Sequence, residues 1–157
     1  MTNGLSFGAD TTLENLTINC SQNPNKYGTF SFYANGHDLT IGDGMEMIPF
    51  PKSAYPYPII FAGGSNKGQP ANSNTLIVKS GRYTEISTNE VDVSSSGASL
   101  YLYGGVTVDY VNSEHGTGGE IHIKEGSEAQ PTVIGNIYLT YEDEVAWTAS
   151  ASMMAAI

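Results

Sequence analysis

One unit recurs along this chain: two apolar residues one position apart, followed within a few residues by a turn former. It occurs at Leu39/Ile41 before Gly42-Asp43-Gly44, at Ile59/Phe61 before Gly63-Gly64, and at Leu76/Val78 before Ser80-Gly81. It returns at Leu100/Leu102 before Gly104-Gly105, at Ile121/Ile123 before Gly126, and at Ile137/Leu139 without a glycine. The first members lie 20, 17, 24, 21 and 16 residues apart. Alternate side chains of an extended chain point the same way, so each pair reads as the inner side of a short strand. Self-similarity at this period is the mark of a stacked architecture. The loose spacing fits a coil of three short strands per turn, with surplus residues bulging out as loops.

The remaining sequence agrees. Period-2 alternation runs through LENLTINC (13–20), TFSFYA (29–34), SLYLYGGVTVDYV (99–111), EIHIKEG (120–126) and NIYLTY (136–141). No sustained helical period precedes residue 146. Second strands are visible at Val91/Val93, at Val106/Val108 and, ahead of the first pair, at Phe30/Phe32. The expectation is an all-β domain over residues 1–145, a single-stranded parallel β-helix of about six rungs with its first strand starting near Leu13. The general preference for right-handed crossovers makes it right-handed. Stacked turns place strands ~4.8 Å apart, and glycine and asparagine supply the left-handed backbone at the bends. Residues 146–157, with Trp147, Met153, Met154 and Ile157, form an apolar tail that is a cap, an interface with another chain or a truncation scar. The competing architecture is an antiparallel β-sandwich or jelly roll, which alternation alone also fits.

The phrases DTTLENLTI, DLTIGDGM, TLIVKSGRY and SLYLYGG resemble rungs of right-handed parallel β-helix proteins of the pectin-lyase-like group. More narrowly, they resemble repeat regions of large bacterial cell-surface and adhesin-like proteins. The resemblance spans roughly residues 5–145 and implies the fold. That group includes polysaccharide lyases, glycoside hydrolases, phage tailspikes and non-catalytic adhesins, so fold alone does not select an activity.

Charge narrows the partners. Sixteen acidic against six basic residues give a net charge of −10. That balance disfavours nucleic acid and anionic membranes, and calcium is the cofactor it admits. Charged residues are only 14% of the chain, against about 25% in a typical globular protein. Hydroxyl and amide side chains replace them, as on secreted β-proteins. The location expected is extracellular or cell-surface. No secretory leader is read in the first ten residues, which suggests a mature form or an excised piece. Cys20, the single cysteine, reads as a small core residue.

If the pairs at 100/102, 121/123 and 137/139 all stack inward, then Tyr101, His122 and Tyr138 form one outward column, flanked by Tyr103, Lys124 and Thr140. Aromatic faces with hydroxyl and imidazole groups suit sugar rings. The same residues equally make a stabilising surface ladder, worth ~0.2–1 kcal/mol per pair. On earlier turns the corresponding positions are Ile60 and Ile77, which need a cover. The Pro- and Tyr-rich segment at 47–58 is suited to that, with Tyr55 and Tyr57 on the rim of any groove. Asp92, Asp109, Glu120 and Glu125 are the acids able to form a glycosidase pair, but no two are marked out. Arg82 reads as a surface partner of Glu85, and Glu142, Asp143 and Glu144 as a solvated turn. His37, His115 and His122 lack zinc spacing. The Asn15-Leu16-Thr17 glycosylation triplet falls inside an expected strand. The leading expectation is a non-catalytic adhesion or carbohydrate-binding module. The alternatives are a polysaccharide lyase or glycoside hydrolase, and a structural spacer that oligomerises through residues 147–157.

Overall fold

In the computed structural model the chain coils as a parallel β-solenoid, and residues 3–22, 28–63, 74–88, 98–113, 121–123, 131–135 and 137–139 are described. The first turn holds β1 (Asn3–Ser6), β2 (Thr11–Leu13) and β3 (Thr17–Asn19), and the second β4 (Phe30–Tyr33), β5 (Leu39–Ile41) and β6 (Glu46–Ile48). Then follow β7 (Ile59–Phe61) and two long strands that bend around corners, β8 (Thr75–Ser87) and β9 (Ser99–Ser113). The last are β10 (Ile121–Ile123), β11 (Thr132–Val133) and β12 (Ile137–Leu139). Every described pairing is parallel, which rules out the sandwich and jelly roll.

Three faces emerge from the register. On the first, Leu5, Phe32, Ile60, Ile86, Val111 and Ile137 lie in one column. On the second, Leu39, Leu76, Leu100 and Ile121 form one column, and Leu13, Ile41, Val78, Leu102 and Ile123 the next. The third carries β3 on β6, the middle of β8 on the middle of β9, and then β11. The core between the faces is sealed: Phe32, Ile41, Ile60, Leu76, Val78, Leu100 and Leu102 are fully buried. Each such side chain contributes about 1.5–3 kcal/mol by leaving water.

The register also corrects the rung count. Of the six sequence pairs, four stack on the second face, while Ile59/Phe61 and Ile137/Leu139 belong to the first. The pairs therefore mark fewer turns than six, because two of them lie on another face of the same coil. The parity at 59–61 is also reversed. Ile60 points inward, whereas half-buried Phe61 faces outward and stacks on Tyr33 at 5.5 Å and 13°. The first strand starts at Asn3, ahead of Leu13, and the run at 13–20 is broken by a corner at Asn15, whose φ is 54°. Directly across the next turn sits Gly44, with φ 70°, where an added Cβ would lie 2.4 Å from Asn15 Oδ1. Two left-handed residues thus stack to make one corner. The segments holding Val91, Val93 and the 146–157 tail lie outside the described residues.

Polar groups hold the corners in step. The Asp10 carboxylate accepts the Asp38 N–H at 3.0 Å, and the Asp38 carboxylate accepts the Thr75 N–H at 2.7 Å. Buried Asn74 donates its amide to Ala62 O at 2.7 Å and to His37 O at 3.2 Å. The Ser80 hydroxyl donates to Gly42 O at 2.7 Å and accepts the Met45 N–H at 3.1 Å. These acids and amides close backbone bonds between turns.

Candidate functional site

The second face carries the residues in question. Thr12, Thr40, Ile77, Tyr101 and His122 occupy one register row there across five strands, between the two apolar columns. Strand spacing puts neighbours in such a row ~4.8 Å apart. Tyr101 and Tyr103 stand on the same side of β9, flanking buried Leu102, and both are half-buried. Lys79 of the preceding turn sets its ammonium 5.9 Å from the centre of the Tyr103 ring, within cation–π range. Lys79 and Tyr103 each follow directly on the Val78–Leu102 register pair, just ahead of a shift at which β9 holds one residue more than β8.

The expected column is only partly assembled. His122 is the register partner of Tyr101. Tyr138 is not: it pairs with Asn112, on the first face. Between β10 and β12 the coil places β11 on the third face, so β12, the next strand, falls on the first. Lys124 and Thr140 lie outside the described residues. Sequence reasoning missed Lys79 as a neighbour of Tyr103, although each stands one residue after a stacked apolar partner, Val78 and Leu102. It also missed the outward Tyr33–Phe61 pair, because Ile59, Ile60 and Phe61 give no alternation to read.

The cover expected over Ile60 and Ile77 takes another position. Ile60 is inside, and Ile77 is half-buried in the row described above. The segment after β6 instead runs along the corner between the third and first faces. Ser53 Oγ donates to Gly28 O at 2.6 Å, and the Tyr57 N–H donates to Thr84 Oγ1 at 3.0 Å. Phe50 and Ile59 are buried, Tyr55 is exposed, and the Tyr57 ring lies 4.5 Å from the Arg82 guanidinium.

Arg82 pairs with Asp109 at 2.5 Å and not with Glu85, and it also donates to Tyr83 O at 2.6 Å. Residues 82 and 85 are three apart, so an extended strand turns them to opposite sides. Glu85 instead accepts from the Asn112 amide at 3.2 Å. His37 lies 3.7 Å from Asp10 at the corner between the first and second faces. Among the described residues no group of three or more His, Cys, Asp or Glu side chains is placed to hold a metal. Asp92, His115, Glu120, Glu125 and residues 142–144 lie outside the described residues. Cys20 is buried, and burial pushes its thiol pKa up, away from the reactive thiolate. No protein-family model, curated protein or solved structure matches this chain.

Proposed function

We propose that the chain is a non-catalytic module of a secreted or cell-surface bacterial protein, presenting its second face to carbohydrate. The row Thr12–Thr40–Ile77–Tyr101–His122, with Tyr103 and Lys79 beside it, carries this reading. A parallel sheet holds this row of backbone positions rigidly, so little conformational entropy is lost when a ligand settles on it. Sugar rings offer C–H faces to phenol rings, and hydroxyls to Thr, Lys and imidazole groups. A hydroxyl-rich, acidic exterior and the resemblance of the rungs to those of surface adhesins support the same location and role. Of the described acids, Asp10 and Asp38 close turns, Asp109 pairs with Arg82 and Glu85 with Asn112, which supports binding over hydrolysis.

A glycan array followed by calorimetric titration with the captured polysaccharide tests the reading. The Tyr101→Ala/Tyr103→Ala variant should bind about tenfold more weakly, the effect of losing ~1.4 kcal/mol of stacking. No binding to plant, mucin or microbial glycans, or identical affinity in the variant, removes the carbohydrate role.

A further inference from the structure

Among the described residues, the first-turn strands β1, β2 and β3 each pair with one strand only, β4, β5 and β6 respectively. The bonds show which backbone groups are engaged. The N–H groups of Phe7, Thr11 and Cys20 donate to Tyr33, Asp38 and Ile48, and the carbonyls of Leu13 and Leu16 accept from Gly42 and Glu46. Backbone groups two residues apart on a strand point the same way, so those of Gly4, Ser6, Thr12, Thr17 and Asn19 face the open edge. The apolar columns are unfinished at the same end. Leu5 is 41% exposed, while Phe32 beside it in the column is 0% exposed. Leu16 is 40% exposed, and Phe7, Leu13 and Ile18 are only partly buried. A triangle of unpaired strand edges around a half-covered core is a template for further pairing.

An occupant must supply strands on three faces at once, running in the same direction, with apolar residues in the same columns. The other end of this solenoid has that arrangement. Among the described residues, β12, β10 and β11 are the last strands there on the first, second and third faces, each paired on one side to β9 and each parallel to it. An upper edge in one copy thus meets a lower edge of matching polarity in the next. A two-fold contact between two first-turn ends would instead set the strands antiparallel and bring the exposed acids Asp10 and Glu14 against their own copies.

We propose that the first-turn end docks a second copy of this chain head to tail, its last turn continuing all three sheets. Such a contact is heterologous and does not close, so it propagates into linear assemblies. It does not depend on the carbohydrate reading. Sedimentation velocity of the full chain from about 10 to about 500 µM should show species growing past the dimer with concentration. Thr12→Pro removes an N–H that faces the open edge and leaves the bonds to β5 in place. It should abolish growth while circular dichroism and melting stay near wild type. Leu5→Lys/Leu16→Lys should do the same through the exposed apolar positions. A monomer at every concentration, a dimer that grows no further, or growth indifferent to both variants overturns the proposal, the last pointing to another surface.

Discussion

Tyr83 concentrates the local logic of the fold in one side chain. It is fully buried, yet its phenol donates to Ser80 O at 2.8 Å, so the ring turns back over its own strand. Space for that comes from Gly81, whose φ is 110° and where an added Cβ would stand 2.6 Å from the phenol oxygen. Burial raises the Tyr83 pKa well above its ordinary value. The folded state therefore holds this proton more tightly than the unfolded chain, which releases it near pH 10. Its contribution is complete below about pH 10 and is lost as pH rises further. Tyr83→Phe should cost about 1–3 kcal/mol at neutral pH by orphaning Ser80 O, and should flatten the fall in stability above about pH 10. Urea unfolding midpoints of both proteins between pH 7 and 11 check this, and parallel alkaline curves would refute it.

At the scale of strands and corners, Arg82 ties two turns together while resting on the Tyr57 ring. Both partners are largely covered, with side chains 25% and 22% exposed, so the pair is stronger than an open surface ion pair. A double-mutant cycle with Arg82→Met and Asp109→Asn should give a coupling of about 1–2 kcal/mol in chemical denaturation. Coupling near zero would make the contact incidental. The second-face strands were legible because Leu39/Ile41, Leu76/Val78 and Leu100/Leu102 alternate cleanly before a turn residue. The first face was misread at Ile59–Phe61, where three apolar residues in a row hide which one points inward. The corner at Asn15 was readable in principle, since asparagine tolerates left-handed backbone, but alternation on both sides bridged it. Of the candidate site, the Tyr101–His122 pairing followed from strand parity. The position of Tyr138 did not, because how many residues a turn consumes is set by its loops and not by its strands.

At the scale of the molecule, each described turn pairs only with its neighbours, so stability accumulates turn by turn. Leu100 lies in the register position next to Leu76, and Val111 in the one next to Ile86. Residues 76–99 are therefore one complete circuit. Excising them should set Leu100 on Leu39 and Val111 on Ile60, giving a shorter protein that still melts cooperatively, with its β-sheet dichroism retained per residue. Loss of cooperative melting would mean that this circuit is indispensable. The same arithmetic runs upward: each duplicated circuit lengthens the rod by ~4.8 Å without disturbing what lies above or below it. On the proposed binding role, reach would thereby be uncoupled from recognition, and a lineage could tune the length of the coil by whole-number edits to its gene.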